Sequence, residues 1–322
     1  MQENNKLLNA RTEKNDEWYT QYEDIEKEIN HYTPQFENKT VYCNCDDYRW
    51  SNFFKYFKDN FNTLKLKKLI STNYNIGDGA YKAEYDGTNL IISKLNGNGD
   101  FRNEESLNIL TQSDIIVTNP PYSLVKEFIP LLIKLNKQFL IIATQNAVSY
   151  KEIFPLLKNN QIKWGYNCVR WFITDENQLK EGSRSSWYTN LEIENTNKQI
   201  TFKKQYSPEL YPKYDNYDAI EVTRTKEIPD NYYGIMGVPI TFLEKYNPEQ
   251  FEIIDINPHF FLTIKQGNPK PKQLSLKSHN IKDPYARILI KRIQKNQEPV
   301  NDDNAQLNNF LDNKPNYDFL SN

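Results

Sequence analysis

Residues 114–118, Asp-Ile-Ile-Val-Thr, form a short apolar run that stops at Asn119-Pro120-Pro121-Tyr122. A helical pattern follows over 124–135, then a second apolar run over 138–143. Strands this short, with apolar residues on both faces, belong inside a parallel sheet covered by helices. Parallel neighbours need a crossover, and the intervening helix supplies it. The same alternation occurs upstream: a strand over 40–45, a polar turn over 46–50, a helix over 52–57 with Ser51 as its N-cap, and a strand over 66–72. The class this predicts is α/β with a largely parallel sheet. Asp86-Gly87 between the alternating runs 80–85 and 88–92 predicts a hairpin. Helices are expected over 24–31, where Ile25 and Ile29 lie one turn apart, and over 150–158. The runs 168–173 and 186–191 read as an antiparallel pair at one edge of the sheet.

A chain of 322 residues has room for one large domain and a smaller companion. Residues 1–195 carry the regular alternation, with 1–12 polar and flexible. Over 196–295 the pattern becomes irregular and richer in Pro and Tyr, which sets off a second region. Residues 296–322 are polar enough to be a flexible tail. Cysteine is sparse (Cys43, Cys45, Cys168), as in reduced, intracellular proteins. His31, His259 and His279 are scattered with no zinc spacing, so no metal is expected. No apolar run is long enough to span a bilayer, and the N-terminus has no apolar signal core, so a cytoplasmic protein without membrane contact is expected. The formal net charge is −2, so a nucleic-acid partner would have to be met by a local basic face. The most basic stretch carries Lys265, Lys270, Lys272, Lys277, Lys282, Arg287, Lys291, Arg292 and Lys295 against a single acid, Asp283.

Ligands of open α/β sheets bind at the carboxyl ends of the strands, where Asn119-Pro120-Pro121-Tyr122 stands. The prolines hold extended dihedrals and offer no N–H donor. The Asn119 side-chain oxygen and the Pro120 carbonyl can then converge on one donor group. An exocyclic amine, with two hydrogens, fits that pair of acceptors, and Tyr122 adds an aromatic face for a planar ring. Asn-Pro-Pro-Tyr resembles the motif of enzymes that methylate amino groups, and this resemblance implies that, with both N–H bonds directed at acceptors, the nitrogen lone pair can turn towards a methyl donor, a step that needs orientation more than a strong base. The plain alternative is a tight turn with Tyr122 packed in the core.

The surrounding blocks go further. Residues 16–26 (DEWYTQYEDIE), 41–47 (VYCNCDD) with 51–57 (SNFFKYF), 99–102 (GDFR) and 118–121 (TNPP) resemble the EcoRI-type adenine-specific DNA methyltransferases. So do 211–220 (YPKYDNYDAI), 237–243 (GVPITFL) and 247–251 (NPEQF). The resemblance spans roughly residues 13–292. It implies a Rossmann-like, S-adenosylmethionine-dependent methyltransferase fold with a C-terminal target-recognition region. It also implies methyl transfer from that cofactor to N6 of a flipped-out adenine in duplex DNA, as the modification half of a type II restriction-modification system or an orphan relative. A cognate restriction endonuclease would share the DNA site without a stable complex.

By the same resemblance, Asn119, Pro120, Pro121 and Tyr122 form the catalytic loop. Tyr19 and Thr20 lie in the block near the methionine end of the cofactor; Asn44, Asp46 and Asp47 follow the first strand; Asp100 approaches the cofactor's adenine, and Asn119 also borders the cofactor. Arg184, Arg224, Lys226, Lys270 and Lys272 are the candidates for DNA contact. Two features depart from the usual methyltransferase pattern: the turn at 46–50 has no glycine, and no acid follows the second strand to hold ribose hydroxyls, where Asn73 or Asn75 stands instead. Two other activities stay open on the residues alone: methylation of an RNA base or a protein glutamine through the same pocket, and a catalytically inactive DNA-binding homologue. The absent glycine-rich turn speaks against the glutamine enzymes, and the intact Asn119-Pro120-Pro121-Tyr122 against an inactive protein.

Overall fold

A computed structural model describes residues 19–75, 77, 79–174, 178–194, 199–256, 274–279, 281 and 286–294. Its first unit runs β1 (Tyr19–Thr20), α1 (Tyr22–Ile29), β2 (Thr40–Cys43), α2 (Asn52–Asp59), β3 (Lys68–Thr72), β4 (Tyr81–Tyr85), β5 (Leu90–Lys94), α3 (Glu104–Gln112), β6 (Ile115–Thr118), α4 (Val125–Lys134), β7 (Gln138–Thr144), α5 (Phe154–Lys158), β8 (Lys163–Ile173) and β9 (Leu179–Thr189). The strands form one nine-stranded sheet in the order β1-β8-β9-β7-β6-β2-β3-β4-β5. Its centre, β3-β2-β6-β7, is parallel. The protein is therefore a mixed α/β fold around a large central sheet.

The central strands are buried on both faces, as their continuous apolar runs require. Val41, Cys43, Ile115, Val117, Leu140 and Ile142 pack with Ile25 and Ile29 of α1 and Phe53 and Phe57 of α2. Tyr42, Ile116, Phe139 and Ile141 pack on the opposite face with Phe128, Ile129 and Leu132 of α4. Ser51 caps α2, its hydroxyl accepting from the Phe53 and Phe54 N–H groups. At the β4–β5 turn Asp86 accepts the Thr88 and Asn89 N–H groups, and Gly87 takes a φ of 96°.

Several elements differ from the sequence expectation. The pair expected at the edge is a longer hairpin, β8–β9, and it is not at the edge. β9 inserts antiparallel between β7 and β8, and β1 covers the outer side of β8. The helix expected over 150–158 begins only at Phe154, because Pro155 lacks an N–H and suits a first turn. Helix α3 is an addition to the expected set. The irregular second region holds a four-stranded sheet of β10 (Ile220–Glu221), β11 (Met236–Pro239), β12 (Phe251–Ile256) and β13 (Arg287–Arg292), ordered β10-β11-β13-β12. Ile220, Val238, Ile253, Ile288 and Ile290 join the same apolar cluster as Phe128 and Leu132, so the two sheets share one core. Residues 1–12 and 296–322, read above as flexible, lie outside the described residues.

Candidate active site

β2 and β6 are hydrogen-bonded neighbours, but the chain leaves β2 for β3 on one side and returns to β6 on the other. The space beyond their carboxyl ends is the switch point of the sheet, where open α/β folds bind ligands. A cavity of about 150 Å³ lies there. Tyr19 and Thr20 from β1, Asn44, Asp46 and Asp47 after β2, Asp100 before α3 and Asn119 after β6 all line it. Asn52 at the start of α2 donates to the Thr20 carbonyl at 2.8 Å and so draws β1 to the cavity. The structure thus brings together every residue expected to border a cofactor.

Their surroundings divide these residues by task. Asp46 is fully engaged: one carboxylate oxygen accepts the Ser51 hydroxyl and the other the Thr118 hydroxyl, both at 2.7 Å. Its backbone N–H reaches the Thr72 carbonyl, and its own carbonyl accepts from Ser71. Asp46 therefore ties β2 to α2 and β6 through its side chain and to β3 through its backbone. Burial pushes its carboxyl up to about 6, against the lowering pull of those two hydroxyls. Asp47 is held in a fork by Arg49, with contacts of 2.9 and 2.6 Å. Asp100 is held the same way by Arg102, at 3.0 and 2.7 Å. Both pairs are Asp-x-Arg, a spacing present in the sequence and overlooked there.

Asn44 and Thr20 are different. Each is 2% exposed, yet both polar atoms of the Asn44 amide and the Thr20 hydroxyl have no hydrogen-bond partner among the described residues. A buried, unsatisfied polar atom costs about 1–3 kcal/mol, so these atoms fit a polar ligand filling the cavity. Gly99, with φ of 78°, lets the loop before Asp100 lie directly on the Asn73 backbone, where a Cβ would collide with its carbonyl oxygen. Asn73 and Asn75, the residues offered for ribose, line the cavity too, though each Oδ1 already accepts a backbone N–H, from Tyr81 and Gly77 respectively. Trp50 was not anticipated. It stands 53% exposed on the cavity lining, with the Arg49 guanidinium 4.9 Å from its ring centre.

Asn119 and Pro121 line this cavity, while Pro120 and Tyr122 do not. The loop therefore has the cavity on one side and its aromatic residue on another. The Thr118–Asp46 bond fixes its first end. A short 3-10 turn, Tyr122–Leu124, fixes the other, with the Leu124 N–H donating to the Pro121 carbonyl at 2.9 Å. Local structure thus uses the Pro121 carbonyl rather than that of Pro120. The Tyr122 hydroxyl is 2.8 Å from Ser185 Oγ on β9, a link that sequence reading missed.

The basic candidates are more dispersed. Arg184 on β9 pairs with Glu244 at 3.0 Å and is half exposed. Arg224 is exposed. Lys226 borders a second cleft, about 910 Å³, to which Lys163, Lys203, Lys204 and Lys245 also contribute. Lys270 and Lys272 lie outside the described residues. Of the other cations in that stretch, Arg287 is turned inward onto Glu221 at 2.6 Å, and Arg292 packs over Phe202 and Tyr233.

The family model for the adenine-specific methyltransferase EcoRI matches residues 6–293. The chain belongs to this family. It is 44% identical to the type II methyltransferase M.EcoRI of Escherichia coli, over 90% of this chain and 98% of that one. It is 41% identical to type II methyltransferase M.MgeORF184P of Mycoplasma genitalium and 37% identical to M.MpnI of Mycoplasma pneumoniae, each over 88% of this chain and 98% and 97% of theirs. No solved structure matches it. Among the described residues no helix is long and apolar enough to cross a membrane.

Proposed function

We propose that the protein is a site-specific DNA methyltransferase that modifies N6 of adenine in duplex DNA, the modification half of a type II restriction-modification system or an orphan relative of one. The observation that carries this is the meeting, at one switch-point cavity, of the residues expected around the cofactor with Asn119 of the Asn-Pro-Pro-Tyr loop. The family match and three type II methyltransferase relatives support the substrate class. The parallel β3-β2-β6-β7 order, with ligand space at its switch point, supports a Rossmann-like methyltransferase plan.

S-adenosylmethionine, when bound, would supply an electrophilic methyl group, its sulfonium C–S bond breaking as the new N–C bond forms and the neutral thioether leaving. Asn44 and Thr20 offer it the unsatisfied polar atoms described above, and Asp47 and Asp100 bring fixed carboxylates. An adenine inside a duplex is out of reach of a recessed loop, so the target base must leave the stack. The Asn119 side-chain oxygen and the Pro120 carbonyl then accept the two amine hydrogens. This directs the nitrogen lone pair at the methyl donor, and Tyr122 covers the ring. Binding and orientation do the work, and no strong base is required.

The second region, with its four-stranded sheet, is assigned to target recognition. Arg184, Arg224 and Lys226 are the described candidates to meet DNA, and the lysines of the larger cleft suit phosphate contacts that position without reading sequence.

The test is methyl transfer from tritiated S-adenosylmethionine to unmodified genomic DNA, to RNA and to protein. Label enters DNA, and methylation sequencing places it on adenine at one motif. Asn119→Ala lowers transfer about 100-fold or more, the scale for removing a group that acts in the transition state. Transfer to RNA or protein and not to DNA would overturn the proposal. Binding of DNA without any transfer would mark an inactive homologue.

A further inference from the structure

Tyr122 lies 63 residues from Ser185 in sequence, yet their hydroxyl oxygens are 2.8 Å apart. The fold explains the meeting. β9 runs antiparallel beside β7 and sets Ser185 opposite Thr144, at the carboxyl end where β6 also delivers its loop. Ser185 is fully buried, and its Oγ also lies 2.9 Å from the Ser183 carbonyl. A serine hydroxyl has one proton, and a carbonyl can only accept. Ser185 therefore donates to Ser183 and accepts from Tyr122. The direction of the contact is fixed: Tyr122 O–H to Ser185 Oγ, Ser185 O–H to the Ser183 carbonyl.

This bond constrains more than distance. A phenolic O–H prefers the plane of its ring, so a buried acceptor at a fixed point sets the angle of the ring as well as its position. Tyr122 is partly buried against the cluster containing Val117 and Trp187, which limits its tilt from one side. The other end of the loop is held through Thr118 on Asp46. We propose that Ser185 is a positioning residue for methyl transfer, holding the Tyr122 ring at the angle at which it stacks on the target base. This rests on the methyltransferase reading of the site. It also gives the Tyr122 proton a structural partner, so Tyr122 acts through its face and not as a proton shuttle.

The test compares the full-length wild type with Ser185→Ala, Tyr122→Phe and the double variant. Unmodified genomic DNA is the acceptor for turnover. A duplex carrying 2-aminopurine, at the adenine that sequencing identifies, reports stacking. Each single change lowers kcat about tenfold, as for one neutral hydrogen bond lost from a preorganised site, and leaves KM for S-adenosylmethionine within about twofold. The double variant is no slower than either single one, because both remove the same bond. The 2-aminopurine signal is brighter in both single variants than in wild type, since looser stacking quenches less. A purely structural loss would not produce that pattern. Losses that multiply, or wild-type kcat in Ser185→Ala, overturn the proposal. If Ser185→Ala does not fold, Tyr122→Phe decides alone: it removes the same bond, and an unchanged kcat and signal refute the positioning role. Wild type that transfers no methyl to DNA refutes the reading of the site and this inference with it. A wild type that does, beside an unaffected Ser185→Ala, refutes only the inference.

Discussion

Asp46 joins the two loops that face each other across the cavity, and its environment gives a pH prediction. Desolvation raises its carboxyl from 3.8 to about 6. The native state then holds this proton more tightly than the unfolded chain, so folding takes up a proton between those two values. The group's contribution to stability is greatest below 3.8, falls as pH rises, and is at its minimum above about 6. The full swing is on the order of 3 kcal/mol, at 1.36 kcal/mol per unit. Asp46→Asn removes this titration, so its melting temperature loses the wild-type decline across that window. A wild-type and variant profile of equal slope would show that Asp46 does not titrate there. Legibility at this scale depended on whether a residue carries its chemistry in its own neighbourhood. Asn119-Pro120-Pro121-Tyr122 does, because two prolines and an amide in a row limit what the backbone can present. Ser185 does not: nothing in Ser183-Arg184-Ser185-Ser186 points to a tyrosine brought in by β6. The unsatisfied amide of Asn44 was equally hidden, since satisfaction is a property of neighbours.

Elements show the same division between local and distant causes. Helix α2 was readable because Ser51, its cap, is adjacent to it. Helix α3 could have been read the same way, with Asn103 at its N-cap position and Glu104 and Glu105 in the first turn, favourable to the helix dipole. The early part of β8 was not readable, because its shape depends on α1. The Glu28 carboxylate, fully buried, accepts from the Tyr166 and Asn167 N–H groups, the Asn167 amide and the Tyr32 hydroxyl, all at 2.8–2.9 Å. The pairing of β8 with β9 shifts register between Trp164 and Cys168, at this spot. Gly165 leaves the space the carboxylate occupies, and a Cβ there would strike its oxygen. Gly165→Ala therefore forces Glu28 off its donors or bends β8, a cost of about 1–3 kcal/mol of overpacking. Glu28→Ala strands several buried donors and costs about as much or more. Thermal unfolding of both variants checks this, and a Gly165→Ala protein as stable as wild type would remove Glu28 as the reason for the bulge.

At the level of the whole molecule, the alternation of apolar runs and helices announced the parallel centre of the first sheet, because each crossover is local in sequence. The second sheet stayed hidden because β13 completes it from far downstream, hydrogen-bonding to β11 on one side and β12 on the other. The division near residue 195 is a change of sheet and not a gap in the core. Val238, Phe251, Ile253 and Ile288 are each no more than 2% exposed, and they pack in one cluster with Phe128, Leu132 and Leu157. Lys158 also donates to the Ile254 carbonyl at 2.7 Å. Removing the second region would uncover the outer side of α4 and α5. Each large apolar side chain so exposed forfeits about 1.5–3 kcal/mol of burial, and domains are stable by only about 5–15 kcal/mol in all. A chain ending at residue 194 is therefore expected to collect in the insoluble fraction, or to remain soluble only with loose packing and a broad thermal transition. Sedimentation and calorimetry of that fragment decide the matter. A soluble monomer unfolding in one sharp transition would mean that the first unit stands alone. The roles proposed for the two regions could then be separated by a cut at that point, which the shared core argues against.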